Sequence, residues 1–206
     1  MKQYDTLRRQ IVETAQRAFA AKLFAGTSGN LSVYLREDGV ILITPSSIRY
    51  ETMLPEDIVV IDLDGRILSG KHDPSSEWRM HAAVYREYPH VNAVFHTHSP
   101  FATAFAACRR PIPQILVEMG YYLGGAVQCA PFAEPGTAAV GESVTPLLKS
   151  AGGCLLANHG VLTVGADLDE AYIRAEYVEG SAQIAAYAQG IGTPTALSPA
   201  LGEHSA

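Results

Sequence analysis

Cysteine is scarce in this sequence, and its few copies are far apart. The three cysteines are Cys108, Cys129 and Cys154, and none belongs to a CxxC pair. This pattern excludes a disulfide framework and favours reduced thiols that pack in a core, as in proteins of the reducing cytoplasm. We therefore expect a cytoplasmic protein.

Long hydrophobic runs and clusters of basic residues are missing as well. No segment approaches the roughly 20 apolar residues of a membrane span, and residues 1–5 carry charge without an apolar signal segment. The 15 lysines and arginines are scattered along a chain of net charge -6. Binding to nucleic-acid phosphates needs clustered positive charge. We expect neither a membrane nor a nucleic-acid partner.

The composition is that of a globular protein with a substantial core. Of the 206 residues, 48% are hydrophobic and 17% are charged, which suits one domain better than two. We place this domain at residues 1–190. Residues 191–206 are rich in proline, serine and alanine and are predicted to form a flexible tail.

Hydrophobic periodicity predicts helices before, between and after antiparallel hairpins. Helical spacing with its start and stop residues predicts helices over 4–25, 74–88, 100–108, 137–150 and 167–190. Alternation, apolar runs and Asp-Gly turns predict strands over 31–35, 40–43, 58–63, 67–68, 91–95, 127–130, 154–157 and 161–164. This order indicates a mixed α/β fold of the α+β type, with layers packed on a sheet, rather than alternating βαβ units.

Three histidines and one glutamate form the most informative pattern. His96 and His98 are spaced i, i+2 at the end of an apolar run, so on a strand their side chains share one face. His159 follows another apolar run, beside a glycine that lets a ligand approach the backbone, and Glu77 adds a carboxylate oxygen. Three imidazoles and a carboxylate suit a tetrahedral zinc-type site.

His81 is a competing candidate, because it lies four residues after Glu77 on the predicted helix. The two side chains could bind one metal together. A histidine that packs in the core, or that supports the ligands from behind, is the favoured interpretation. We interpret His72, His90 and His204 as solvent-exposed.

Hydroxyl and glycine clusters precede or follow the predicted elements at three places. They comprise residues 26–30 with Thr27 and Asn30, residues 44–47 with Ser46 and Ser47, and the pair Ser75 and Ser76. Each alone is ordinary turn chemistry. Together, hydroxyls and the free N–H groups of a helix start form a cradle for a small anion that needs no basic residue. A phosphorylated substrate is consistent with the acidic net charge.

Six blocks in order carry a resemblance to a known family over about residues 5 to 190. The blocks are residues 26–32 (GTSGNLS), 43–46 (ITPS), 74–78 (PSSEW), 96–98 (HTH), 130–132 with 135–137 (APF and PGT), and 158–160 (NHG). They resemble the class II sugar-phosphate aldolases, in the superfamily of L-fuculose-1-phosphate aldolase and L-ribulose-5-phosphate 4-epimerase.

The resemblance implies a single three-layer α-β-α domain with a mostly antiparallel central sheet, and a homotetramer with active sites between subunits. It implies one divalent metal per subunit, Zn²⁺ first and Mn²⁺ or Co²⁺ as alternatives. The implied metal ligands are Glu77, His96, His98 and His159, and the implied phosphate pocket comprises Thr27, Asn30, Ser46, Ser47, Ser75 and Ser76.

The implied reaction cleaves a ketose 1-phosphate to dihydroxyacetone phosphate and a small aldehyde. A divalent cation stabilises the negative charge that cleavage leaves on the substrate, and Glu77 moves a proton as acid or base. Apolar residues around 116–123 favour a deoxy or alkyl-terminated aldehyde, as from L-fuculose 1-phosphate or 5-deoxyribulose 1-phosphate.

One position departs from the family pattern. Family aldolases use a tyrosine of the neighbouring subunit to protonate the aldehyde oxygen, and ungapped counting from His98 places Val117 there. Glu118, Tyr121 and Tyr122 are nearby substitutes, and an exposed carboxylate with interface aromatics is the other interpretation. A second such tyrosine, near the family's C-terminus, has no match.

The same fold supports other reactions. The related epimerases resemble Ser-Ser-Asp where this chain has Ser76-Glu77, so the glutamate favours an aldolase. Dehydratases and decarboxylases of phosphorylated sugars share the histidines and remain alternatives. The adducin head domain is a binding module of this fold without the metal ligands, and it is a remote alternative.

Overall fold

The computed structural model describes residues 4–197. Within them, five α-helices are α1 (Asp5–Ala20), α2 (Trp78–Glu87), α3 (Pro100–Ala107), α4 (Ala138–Val144) and α5 (Leu168–Ile191). Eight strands are β1 (Asn30–Leu35), β2 (Val40–Ile43), β3 (Val59–Asp62), β4 (Ile67–Ser69), β5 (Ala93–Thr97), β6 (Cys129–Ala130), β7 (Gly153–Leu156) and β8 (Gly160–Gly165). A short π-helical turn covers Met119–Leu123.

All eight strands join one sheet in the order β4-β3-β2-β1-β5-β8-β7-β6. Every neighbouring pair is antiparallel except β6 and β7. The hairpins β1–β2 and β3–β4 are the two that alternation predicted. The central strands are buried on both faces, because helices cover each side of the sheet.

Alternate residues of the strands supply two separate cores. Ile41 and Ile43 point to the face that packs against α2 and α4, whereas Leu42, between them, packs with α1 and α5 on the other face. A third cluster joins α3 and α5 over β7 and β8. The predicted three-layer α-β-α architecture is thereby confirmed.

The opening helix ends earlier than the sequence predicted. It was expected to continue to residue 25, but α1 ends at Ala20. Lys22 takes a left-handed φ of 61°, and the N–H of Leu23 donates to the carbonyl of Ala18 at 2.9 Å. These features form a Schellman motif, in which the last carbonyls of the helix accept hydrogen bonds although no glycine is present.

The predicted start of α2 at Pro74 is wrong. Pro74 instead forms an antiparallel bridge with Pro45, and the N–H of Ser75 donates to the carbonyl of Thr44 at 3.0 Å. The chain is therefore extended at Pro74, and the helix begins only at Trp78. Ser76 and Glu77 lie in the turn before it, so they are not in a first helical turn.

The predicted helix over 137–150 is divided. The α-helical part ends at Val144, and Thr145–Leu148 continue as a 3-10 turn. Pro146 lacks the amide hydrogen that an α-helix would donate to the carbonyl of Glu142. The long last helix begins as predicted, since Asp167 caps it by accepting from the N–H of Glu170 at 2.8 Å.

The expected tail falls only partly within the described residues. Helix α5 ends at Ile191, and the N–H of Leu197 donates to the carbonyl of Gln114 at 2.8 Å. Residues 198–206 lie outside the described part, so the division into a domain over 1–190 and a flexible tail stays a prediction. No helix among residues 4–197 has the length and hydropathy to cross a membrane.

Candidate metal site

Four segments that are distant in sequence meet at one end of the central strands, which we call the site edge of the sheet. His96 lies near the end of β5, paired in register with Asn30 at the start of β1. His98 follows β5 directly, His159 lies in the turn before β8, and Glu77 precedes α2. The antiparallel order places the end of one strand beside the start of the next. It therefore gathers the four predicted ligands at the site edge.

The donor atoms of these side chains lie close enough to hold one ion. The Nε2 atom of His96 is 3.0 Å from Nε2 of His98 and 3.1 Å from Oε2 of Glu77. Nε2 of His159 is 3.4 Å from Oε1 of Glu77. One donor atom from each of the four residues lies within 4.8 Å of the others. His81 is not in this group.

One carboxylate oxygen of Glu77 accepts no hydrogen bond, and this indicates that the four donors fit a cation. Within residues 4–197, Oε1 of Glu77 is buried and accepts no hydrogen bond. A buried carboxylate oxygen without a partner is costly. Because three imidazole nitrogens face the same point, a divalent cation there would satisfy the oxygen and the nitrogens together.

Backbone contacts orient the His96 ring and position the main chain of His159. Nδ1 of His96 donates to the carbonyl of Val161 at 2.8 Å, so the other ring nitrogen, Nε2, faces the cluster. His159 is held by a tight turn in which its N–H donates to the carbonyl of Leu156 at 3.0 Å. Asn158 enables this turn with a left-handed φ of 56°.

Burial and neighbouring charge shift the pKa values of the cluster. Burial, helped by the charge of His96, lowers the pKa of His98 to about 3 and also lowers that of His159. Burial acts to raise the pKa of Glu77, but His96, His159 and the Asn30 amide together bring it below its ordinary value. The carboxylate is therefore ionised and these two imidazoles are neutral near pH 7, which are the forms that bind a metal.

Gly160 has a steric role that the sequence did not indicate. A Cβ atom at this position would collide with the carbonyl oxygen of Thr97 and lie 3.2 Å from Cε1 of His96. A glycine here therefore lets β8 lie against the end of β5 without displacing the His96 ring.

We expect the substitution Gly160→Ala to lower the free energy of unfolding by about 1 to 3 kcal/mol, because it overpacks the joint between β5 and β8. Urea unfolding of the metal-free protein measures this effect. Gly180→Ala is the matched control, since Gly180 has open space around its Cα and alanine favours a helix by up to about 1 kcal/mol. Equal stability of the two variants would contradict the steric role.

The predicted phosphate residues lie on two paired segments and a turn next to the cluster. The Pro45–Pro74 bridge, with the N–H of Ser46 donating to the carbonyl of Asp73 at 3.0 Å, aligns residues 44–47 with residues 73–76. Thr44 joins this pair to β1, because its hydroxyl accepts from the N–H of Leu31 at 3.2 Å, next to Asn30. Among the predicted phosphate residues, Thr27, Ser47 and Ser76 are exposed.

A lysine lies closer to these hydroxyls than the sequence indicated. Lys71 belongs to none of the six motif blocks, but with His72 it lines a cavity that Ser46 and Ser47 also line. Its Nζ is 2.9 Å from Oδ1 of Asp57, and Nε2 of His72 is 3.0 Å from the same oxygen. Asp57 thus anchors the loop that leads into the second serine pair.

The structure does not bring the substitutes for the missing tyrosine to the cluster of their own chain. Tyr121 and Tyr122 line a cavity with Gly152 and Val164, at the end of β7 and β8 opposite to His159. Tyr122 stacks on Tyr177 with ring centroids 4.2 Å apart. Glu118, just before this turn, is exposed.

Sequence reasoning missed two polar residues behind the cluster, Ser32 and Tyr85. Ser32 lies two residues after Asn30 on β1, and Tyr85 lies four residues after His81 on α2. These spacings place each pair on one face of its element. This periodicity could have revealed the missed residues, because polar side chains are unusual on the buried face of a central strand.

Comparison with known proteins identifies the family to which this chain is similar. The model of the class II aldolase and adducin N-terminal domain matches residues 9–186. A 5-deoxy-D-ribulose 1-phosphate aldolase of Bacillus thuringiensis serovar kurstaki is 35% identical over 92% of this chain and 89% of its own. An L-fuculose phosphate aldolase of Escherichia coli O6:H1 is 41% identical over 87% of this chain and 82% of its own.

A solved structure agrees with these sequence relatives. The structure of an L-fuculose 1-phosphate aldolase superposes with a TM-score of 0.91 at 32% identity, over 95% of this chain and 94% of that one. The match therefore includes the sheet, both helical layers and the site edge, where the four donors meet. This chain belongs to the class II aldolase and adducin family.

Proposed function

We propose that this protein is a metal-dependent aldolase that cleaves a ketose 1-phosphate to dihydroxyacetone phosphate and a small aldehyde. The observation that carries the proposal is the buried carboxylate of Glu77, whose Oε1 atom accepts no hydrogen bond among residues 4–197 and lies in one cluster with three imidazoles. The adducin-like binding module was defined by the absence of these ligands, so their presence favours an enzyme. Relatives named as aldolases support the same conclusion.

The four residues of the cluster would bind a metal, and one of them would also transfer a proton. Glu77, His96, His98 and His159 would hold one divalent cation, which would supply Lewis-acid stabilisation of negative charge on the substrate. Three imidazoles and one carboxylate favour Zn²⁺, with Mn²⁺ and Co²⁺ as alternatives. Glu77 would move the proton, since it is the carboxylate of the site and its Oε1 accepts no other hydrogen bond.

The phosphate would bind beside this centre. The hydroxyls of Ser46, Ser47, Ser75 and Ser76, with Thr27 and the Asn30 amide, are neutral donors, and neutral donors can hold a phosphate without a salt bridge. The paired segments 44–47 and 73–76 hold the two serine pairs next to each other. Binding energy from the phosphate would then orient the C–C bond at the cluster.

The aldehyde side of the site would be completed by a second subunit. Tyr121 and Tyr122 lie at the far end of the sheet from His159, and Glu118 is exposed beside α5. The acid that protonates the aldehyde oxygen would therefore come from a neighbouring copy. The predicted homotetramer provides such a neighbour. Exposed apolar side chains on α5, among them Ile184 and Ile191 at 45% and 91% exposure, are available for subunit contacts. We propose the cytoplasm as the location.

The relatives guide the choice of substrate. Two of them are named for L-fuculose phosphate and 5-deoxy-D-ribulose 1-phosphate. Both ketoses yield an aldehyde that ends in a methyl group. We therefore propose a deoxy-sugar 1-phosphate as the substrate class of this protein.

The test is release of the aldehyde product from L-fuculose 1-phosphate and 5-deoxyribulose 1-phosphate, with dihydroxyacetone phosphate as the co-product, each compared with aldehyde release from the unphosphorylated sugar. We expect release only from the phosphorylated sugars, loss of at least about 90% of the rate after chelation, as required for a Lewis-acid step, and recovery on adding Zn²⁺, Mn²⁺ or Co²⁺. A metal-loaded protein that releases no dihydroxyacetone phosphate but converts L-ribulose 5-phosphate to its 4-epimer would show that the proposal is wrong.

A further inference from the structure

A row of buried polar side chains lies behind Glu77, and the proposed reaction uses only its first member. Asn30, Ser32, His81 and Tyr85 are each at most 3% exposed. They come from two elements, β1 and α2, on the face of the sheet where Glu77 lies. Their hydrogen bonds run in sequence from the Glu77 carboxylate into the core.

The contacts are short and continuous. Nδ2 of Asn30 donates to Oε2 of Glu77 at 2.9 Å. Oδ1 of Asn30 is 2.6 Å from Nε2 of His81, and Nδ1 of His81 is 2.7 Å from Oγ of Ser32. The hydroxyl of Tyr85 ends the row, 2.7 Å from Oγ of Ser32 and 2.9 Å from the Ser32 carbonyl.

The ionised carboxylate determines the direction of the bonds that lead from Glu77 to Ser32. It can only accept, so the Asn30 amide must present its NH₂ group to Glu77 and its oxygen to His81. Nε2 of His81 must then carry the proton. Burial, helped by the charge of His96, lowers the pKa of His81 to about 3. The ring is therefore neutral at pH 7, and its Nδ1 accepts from the Ser32 hydroxyl.

We propose that His81 is a positioning residue for proton transfer by Glu77, an inference that rests on the proposed function. The amide of Asn30 could be turned by 180° with little change of shape, and its oxygen would then face the carboxylate. The Nε2–H group of His81 prevents this turn, because it needs the amide oxygen as its acceptor. Oε2 of Glu77 is thereby held by Asn30, while Oε1 stays available at the cluster.

Two variants of similar length separate this role from simple packing. His81→Met fills the space without a donor, whereas His81→Gln keeps an N–H group that can reach Oδ1 of Asn30. Loss of such an outer contact typically costs about 10- to 100-fold in activity. We expect kcat to fall by about this factor in His81→Met and to recover most of the loss in His81→Gln, with KM and metal stoichiometry unchanged in both.

Several results would overturn the inference. They are equal loss of kcat in both variants, a rise in KM with kcat unchanged, and loss of metal from His81→Met. The first would indicate packing alone, the second would place the effect on phosphate binding at Asn30, and the third would place it on the metal ligands.

The direction of these hydrogen bonds can also be tested on the unmodified protein. This test depends neither on an activity assay nor on whether a variant folds. Proton–nitrogen NMR of the histidine side chains reports which ring nitrogen carries hydrogen. We expect a proton on Nε2 of His81, protected from solvent exchange, with none on Nδ1; a proton on Nδ1 would overturn the inference. If the protein instead shows this tautomer but cleaves no ketose 1-phosphate, the proposed function fails while the hydrogen-bond row stands.

Discussion

Replacement of His96 by alanine is expected to abolish stoichiometric metal binding and to lower kcat by at least about a thousandfold. His96 is fully buried, its ring is oriented by the Val161 carbonyl, and its Nε2 lies within 3.1 Å of both His98 and Glu77. Loss of this central nitrogen leaves three ligands and an opening where the ring was. Lewis-acid stabilisation is worth several kcal/mol, and each 1.4 kcal/mol is about tenfold in rate.

The measurement is metal per subunit after dialysis, together with kcat in added Zn²⁺. His90→Ala is the matched control, because His90 is exposed and lies outside the cluster. It should retain full metal content and activity. One tightly bound metal per subunit in His96→Ala would show that His96 is not a ligand. Unfolding curves of both variants with chelator present separate loss of metal from loss of fold.

The second large effect is expected for Glu77→Gln. We expect kcat to fall by about 10²- to 10⁴-fold, because this is the usual contribution of general acid–base catalysis. Glutamine keeps the size of the side chain, and its amide oxygen can still accept from Nδ2 of Asn30. It cannot take up a proton at neutral pH. The loss should therefore appear in kcat far more than in KM.

The control for this substitution lies on the same helix. Glu87→Gln changes an exposed carboxylate at the other end of α2, so we expect no change in kcat. Metal content should be measured for both variants, since Glu77 is also a predicted ligand. Full turnover by Glu77→Gln would exclude its role in proton transfer, whatever its contribution to metal binding.

Local patterns predicted most of the fold. The β1–β2 hairpin follows from alternation and the turn at Asp38-Gly39, and the start of α5 follows from Asp167, because neighbours in sequence decide both. The start of α2 was mispredicted because Pro74 pairs with Pro45, 29 positions earlier, and this pairing keeps it extended. No window of local sequence contains that information.

Some residues of the site could likewise be predicted from the sequence, and others could not. His96 and His98 were recognisable because their i, i+2 spacing on a strand is local, and the motif blocks named Glu77 and His159. The positions of Glu118, Tyr121 and Tyr122 were not recognisable. Their distance from the cluster depends on how residues 116–123 pack beside α5. The role that we propose for them requires a second subunit.

The sequence by itself determined the family, the order of most helices and strands, and the four side chains that the structure brings to the site edge of the sheet. These depend on residue type and short-range spacing, which a single chain displays directly. Only the tertiary structure decided that His81 bonds to Asn30 rather than joining the cluster, and that Gly160 must lack a side chain beside His96. Both depend on contacts between residues about 50 to 65 positions apart, which exist only after the sheet has formed.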